Sequence, residues 1–206
     1  LKWDIQKYFE SIDHLLLKGL LRRIIKDKKL LLLLDQIIDH SVPGDTQGKG
    51  LPIGNLTSQH FANLYLGELD HFVKDYLGIR GYIRYMDDSV ALSNNKSHLY
   101  QLLENVRKFL DEKLKLHFKE KALQIAPVTE GIPFLGFRIY PQMIRLQRKN
   151  LVRWRKKIKK RQENFEKGAL PEENLIASVR SMIAHVSHVN SAALRRKELE
   201  RYYFWA

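Results

Sequence analysis

The stretch Ile79-Arg80-Gly81-Tyr82-Ile83-Arg84-Tyr85-Met86-Asp87-Asp88-Ser89-Val90-Ala91-Leu92-Ser93 decides how this chain folds. Two β-prone runs, Ile79–Met86 and Ser89–Ser93, are separated only by Asp87 and Asp88. That spacing predicts two antiparallel strands joined by a tight turn. Adjacent carboxylates repel, so folding alone does not favour the pair, and a divalent cation would relieve the repulsion. Aspartate is also an ordinary turn former, and an isolated Asp-Asp would be read that way. A third acid shifts the balance. Asp4 lies in a short extended segment, Lys2 to Phe9, and one carboxylate on a first strand plus a pair at a hairpin tip can hold two metal ions about 3.5–4 Å apart.

Outward from the hairpin, apolar periodicity predicts the other elements. Asp13 caps a helix over about His14 to Lys26, with Leu16, Leu17, Leu20, Leu21, Ile24 and Ile25 on its buried side. A second helix covers Leu30 to Asp39, and the turn formers that follow make 41–54 a loop. Phe61, Leu64, Tyr65, Leu69, Phe72, Val73 and Tyr76 mark a helix from Thr57 to Tyr76, and another runs from Ser97 to about Lys115. Leu116–Ile125 and Pro133–Leu146 read as strands. From Arg148 the chain turns helical, over roughly 148–166, 172–188 and 191–203. The expected fold is α+β, an antiparallel sheet with helices on one face over 1–146, followed by an all-α region over 147–206.

Composition sets limits on the chemistry. Apolar residues make up 44% of the 206, enough for a packed core. The absence of cysteine excludes disulfides, zinc knuckles and thiol chemistry. The Leu30–Leu34 run is too short to cross a bilayer, which takes about 20 apolar residues. A net charge of +13 points to a polyanionic partner, and between Arg145 and Arg161 there are ten basic residues and no acid. Leu151, Trp154 and Ile158 are interleaved among them at helical spacing, so one face can pack while the other meets phosphates. The chain opens at Leu1 inside a patterned segment, as an excerpt of a longer protein would.

Five segments, in order, resemble the motifs of reverse transcriptases. Lys2-Trp3-Asp4-Ile5-Gln6-Lys7-Tyr8-Phe9-Glu10-Ser11-Ile12-Asp13-His14 resembles motif A, Gly50-Leu51-Pro52-Ile53-Gly54-Asn55-Leu56-Thr57-Ser58-Gln59 motif B, and Tyr85-Met86-Asp87-Asp88 motif C. Leu114–Ile125 is similar to motif D, and Phe134-Leu135-Gly136-Phe137 to motif E, the primer grip. The Ile53-Gly54 and Ser58-Gln59 pairings, with Ala184-His185-Val186-Ser187-His188-Val189-Asn190-Ser191, look like the enzymes of diversity-generating retroelements. The resemblance implies a polymerase palm over 1–146, with the fingers largely absent, and a helical thumb over 147–206.

It also implies roles. Asp4, Asp87 and Asp88 are the catalytic acids. Asp4, Asp87 and the Ile5 carbonyl bind two magnesium ions, or manganese in their place, with Asp88 completing the set. Phe9 is the steric gate that favours dNTPs. Ile53, Gly54, Ser58, Gln59, Tyr85 and Met86 surround the nucleotide or primer terminus. Lys121 is the candidate general acid for pyrophosphate departure, with Lys119 its competitor. Phe134, Leu135 and Gly136 form the primer grip, and Arg148, Arg153, Lys156, Lys157 and Lys160 track the template–primer duplex. His185 and His188 are read as packing or duplex contacts and not as metal ligands.

The implied partners are an RNA template, an RNA/DNA or DNA primer duplex, dNTPs and a small basic helical accessory protein, in a bacterial or phage-encoded, cytoplasmic setting. Without fingers, this chain alone is expected to polymerise weakly or not at all. A retron or group II intron-like enzyme remains open, as does a reverse-transcriptase-like module for defence or RNA binding. A nucleotidyl cyclase is a remote third.

Overall fold

The computed structural model describes residues 1–40 and 48–201. The first half of the loop expected over 41–54, and the last residues of the chain, lie outside the described residues. The chain divides into two compact units, Leu1–Ala126 and Pro127–Ala206.

In the first unit the order is β1 (Lys2–Trp3), α1 (Tyr8–Ser11), α2 (His14–Ile24), α3 (Lys28–Asp39), α4 (Leu56–His71), β2 (Tyr82–Tyr85), β3 (Asp88–Ala91) and α5 (Lys96–Phe109). Both α4 and α5 finish in a wider π turn, Phe72–Tyr76 and Leu110–Leu114. The caps are those the sequence supplies. Asp13 accepts from the Leu16 amide, Asp27 from Lys29 and Leu30, and Asn95 from Ser97 and His98. Helix α4 runs through the core, with Phe61, Ala62, Tyr65, Leu66 and Leu69 all buried and the Tyr65 hydroxyl donating to the Leu114 carbonyl at 2.7 Å.

The sheet is antiparallel in the order β1-β3-β2. Lys2 pairs with Val90 and Trp3 with Ser89, while Tyr85 pairs with Asp88. The turn is therefore Met86–Asp87, one residue earlier than the sequence pattern places it, and Asp88 opens β3. The extended segment expected to Phe9 is also shorter, because the chain turns into α1 at Tyr8.

The expected strand 116–125 is not continuous. It touches the Lys2–Ile5 segment at two bridges, Lys2↔Gln124 and Ile5↔Phe118. An antiparallel ladder keeps the sum of partner numbers constant, and here it falls by three between the bridges. The surplus residues are the 3₁₀ turn Glu120–Ala122, a bulge thrown out beside β1.

The second unit holds a three-stranded antiparallel meander, β4 (Ile132–Phe134), β5 (Phe137–Ile139) and β6 (Ile144–Leu146), then α6 (Arg148–Glu166), α7 (Glu172–Ser187) and α8 (Ala192–Arg201). What the sequence suggests as one strand, 133–146, is this meander. The change of composition near 146 is not the edge of a compact unit, because the meander is bonded to the helices after it. Asn150 Nδ2 donates to the Gly136 carbonyl at 2.9 Å and Gln147 Nε2 to the Phe137 carbonyl at 3.0 Å. Asn190 bonds Ile144 through both its amide and its side chain. Trp154, Ile158 and Val186 form one small core, and Leu175, Val179 and Leu199 another.

Trp3 sits under the site. It is fully buried, stacked on Tyr82 at 5.8 Å and edge-on to Phe118 at 6.3 Å, and its indole N–H has no partner. Trp3→Ala is expected to cost about 3–5 kcal/mol, as large aromatic truncations do, whereas Trp3→Phe removes an unsatisfied donor and should cost much less. Chemical denaturation followed by circular dichroism checks the difference.

Candidate active site

The register of the sheet builds the site. Continuing the pairing of Lys2 with Val90 and Trp3 with Ser89 puts Asp4 opposite Asp88. Side chains alternate between faces, so Trp3, Tyr82, Arg84, Ser89 and Ala91 share the packed face. Lys2, Asp4, Ile83, Tyr85 and Asp88 share the other, where Ile83 and Tyr85 are exposed. Asp87, in the turn, lies close enough to Asp4 for that carboxylate to act on its proton.

That crowding has a measurable consequence. Burial, then the Asp4 and Asp88 carboxylates, push Asp87 up to about 6 from an ordinary 3.8. Asp88 is handled differently: its oxygens take Lys2 Nζ at 2.7 and 2.9 Å. Asp4 receives Lys119 Nζ at 3.3 Å.

Ile5 stands between them with its backbone free for the same centre. The bonds flanking its bridge to Phe118 run from the Gln6 amide to His117 O and from the Lys119 amide to Asp4 O. In that pattern the amide and carbonyl of Ile5 itself face the opposite edge, toward the β2–β3 turn. A cleft of about 550 Å³ opens here, lined by Ile5, Gln6, Lys7, Tyr8, Asp87, Lys119, Glu120 and Lys121. The bulge in the ladder is what brings both lysines to it.

The donor set suits a hard divalent cation. Two apposed carboxylates, one holding its proton against its neighbours, are what such an ion relieves, and magnesium is commonly held by one or two carboxylates plus substrate phosphates. Among the described residues no three acids or histidines gather into a preformed cage, since Asp88 is turned to Lys2.

A residue missed by sequence reasoning holds the turn. Arg84, its side chain only 9% exposed, grips Asp70 through Nε at 2.7 Å and Nη2 at 2.5 Å. Its Nη1 donates to the Met86 carbonyl at 2.8 Å, and Tyr82 adds its hydroxyl to Asp70. Met86 has a left-handed backbone, φ 54°, which an unbranched side chain tolerates only at some cost. The guanidinium bridges α4 to that strained carbonyl. Strand alternation was the available signal: Arg84 falls on the packed face with Tyr82, so it required an acid.

The remaining candidates are dispersed. Phe9 is half-buried in α1 against the Tyr8 ring, and its carbonyl accepts from the Leu51 amide at 2.8 Å, which ties Leu51 to the Asp4 segment. His14 Nε2 lies 2.6 Å from the Gly50 carbonyl and strengthens that tie. Ile53 and Gln59 are exposed, Gly54 has open space around it at φ 97°, and Ser58 is buried inside α4. In the second unit, Leu135 and Gly136 form the two-residue β4–β5 turn with φ 48° and 84°. A leucine there is strained and about half exposed. Arg148, Arg153, Lys156, Lys157 and Lys160 are all exposed on α6, whereas Arg155 is engaged by buried Glu198. His185 lies beside the Phe137 ring at 6.1 Å, a packing contact.

The model of the reverse transcriptase (RNA-dependent DNA polymerase) family matches residues 1–139. The chain is similar to protein YkfC of Escherichia coli K12, 26% identical over 172 residues that cover 66% of this chain and 45% of that protein. It is also similar to the group II intron-encoded protein LtrA of Lactococcus lactis subsp. cremoris, 23% identical over 227 residues, 78% of this chain and 37% of LtrA. The chain therefore spans less than half the length of these relatives. No helix among the described residues is long and apolar enough to cross a membrane.

The raised Asp87 carboxyl predicts a pH dependence of stability. The folded chain holds that proton to about pH 6 and the unfolded chain to 3.8, so the contribution is present below 3.8 and lost as pH rises through about 6. Asp87→Asn should then stabilise the metal-free protein at pH 7, by about 1–2 kcal/mol after allowing for solvent screening, and have no effect at pH 3. Thermal melts at the two pH values check the sign.

Proposed function

This chain belongs to the reverse transcriptase (RNA-dependent DNA polymerase) family, and from that premise we propose that the full-length protein copies an RNA template into DNA by two-metal nucleotidyl transfer. The observation that carries the reading is the Asp4–Asp87 apposition on a cleft edged by Lys119 and Lys121. Asp4, Asp87 and the Ile5 carbonyl hold the metal, and Asp88, charge-paired with Lys2, completes the acidic set. Two magnesium ions bound there, or manganese in their place, would supply Lewis acidity to the attacking hydroxyl and the departing pyrophosphate. The primer 3′-oxygen bonds to the α-phosphorus of a dNTP as the bond to the β-phosphate oxygen breaks. Lys121, on the bulge, gives a proton to the leaving pyrophosphate. Lys119, engaged by Asp4, is the weaker candidate for that step.

Phe9 excludes a ribose 2′-hydroxyl, and Tyr85 and Met86 border the incoming base or primer end. Ile53, Gly54, Ser58 and Gln59 shape the nucleotide side, with Ser58 acting from within α4. Phe134, Leu135 and Gly136 grip the primer, and the exposed α6 cations follow the duplex phosphates. Residues 1–126 with the following meander serve as palm and the helices from 148 as thumb. We assign the enzyme to a diversity-generating retroelement on the Ile53-Gly54 and Ser58-Gln59 pairings, which loosen the pocket toward misincorporation opposite adenine. Such an enzyme works with a basic helical accessory protein. The similarity to LtrA favours a second reading, a group II intron-like enzyme of higher fidelity.

Primer extension by the full-length protein on RNA, with magnesium, dNTPs and sequenced cDNA, tests both. Asp87→Ala should reduce the rate by roughly 10³-fold or more, several kcal/mol of lost transition-state stabilisation. Errors concentrated opposite template adenine support the retroelement assignment. Evenly faithful cDNA supports the intron-like one. Synthesis that survives Asp87→Ala contradicts the proposed chemistry.

A further inference from the structure

The outer face of the β4–β6 meander carries a charge arrangement that folding does not favour. Arg138 on β5 and Arg145 on β6 are directly paired across the ladder, and both are exposed. Directly opposed side chains lie about 4.5–5.5 Å apart at Cβ, and like charges there are destabilising. No ion pair to either arginine occurs among the described residues.

Both are nevertheless held in place. Arg138 Nε donates to the Glu130 carbonyl at 2.9 Å, and the Arg145 guanidinium lies 5.8 Å from the centre of the Tyr140 ring. Gly131, at φ 78°, forms the floor: a Cβ there would come within 2.8 Å of both the Arg138 stem and the Tyr140 ring. The opposite face of the meander, through Leu146, packs on the Trp154 core, so the arginine face is the outward one. Two oriented guanidiniums with no acid between them match an anion with several oxygens, and Arg engages phosphate in a two-pronged manner that Lys does not.

We propose that Arg138 and Arg145, steadied by Tyr140 and seated on Gly131, form a clamp for a phosphodiester in the backbone of bound nucleic acid, separate from the cation stripe of α6. The proposal rests on the reading of the chain as a nucleic-acid polymerase, and its test does not need catalysis. Backbone recognition makes the clamp indifferent to sequence.

The test is fluorescence anisotropy of the full-length protein with a labelled RNA/DNA primer duplex and with single-stranded RNA, across a salt series. Arg138→Gln with Arg145→Gln should melt no lower than wild type, because a like-charge pair has been removed. It should bind at least about tenfold more weakly at low salt. The slope of log affinity against log salt should fall by about 0.7–0.9, the release expected for one phosphate contact. Arg138→Lys with Arg145→Lys should recover most of the slope but not all of the affinity. A loss on the duplex alone places the clamp on the primer–template, and a loss on RNA alone places it on the single-stranded template. A double Gln variant that binds both ligands with wild-type affinity and slope overturns the clamp while leaving the polymerase reading intact. Failure of wild type to bind either ligand overturns both.

Discussion

Everything in the first unit converges on the approach of two carboxyl groups, Asp4 and Asp87, that would separate if the backbone let them. Asp4 is fixed by a strand of only two residues, Lys2–Trp3, yet that strand is pinned from three sides. Trp3 anchors it to the core, β3 pairs with one edge, and the bridges to Gln124 and Phe118 hold the other. Asp87 is fixed by a turn that Arg84 braces from α4. The repulsion is therefore carried by the fold as a whole, and it surfaces as the proton Asp87 keeps to about pH 6. An arrangement that destabilises the metal-free chain is understandable when a cation and the phosphates it carries are the missing counterpart.

The neighbouring cations divide the work. Lys2 neutralises Asp88 and so keeps three clustered acids from becoming three unpaired charges. Lys119 sits on Asp4, and Lys121 lies on the same cleft, both delivered by the Glu120–Ala122 bulge. In the second unit, Gln147 and Asn150 tie the strained Leu135–Gly136 turn to the first turns of α6. A substitution in that helix start would move the turn as well as the basic stripe. Gly136 is favoured there by its φ of 84°, and a Cβ would also displace the Asn150 amide that bonds its carbonyl.

The hairpin, the cap of α2 and the basic helix were legible in the sequence because each rests on local chemistry. Alternation marks β2 and β3, Asp13 marks a helix start, and Trp154 and Ile158 at helical spacing mark the inner face of α6. Three features were not legible because they depend on residues far apart. The break in the 116–125 segment follows from its register against β1, a partner more than a hundred residues away. The unit boundary at 126 follows from bonds between the meander and later helices, whereas composition changes only near 146. Lys2 gains meaning only from Asp88, 86 residues further along the chain. The turn also fell one residue early, because Met86 takes a left-handed conformation that its residue type does not suggest.

Whether the Asp4–Asp87 crowding is a divalent-cation site is decided by calorimetric titration of the full-length protein with manganese at pH 6 in two buffers of different ionisation heat. Manganese should bind saturably and displace the Asp87 proton, so that the apparent heat depends on the buffer at pH 6 and not at pH 8, and this binding should be lost in Asp4→Asn. Binding of equal affinity in Asp4→Asn, or binding with no proton release at pH 6, would contradict a cation site there.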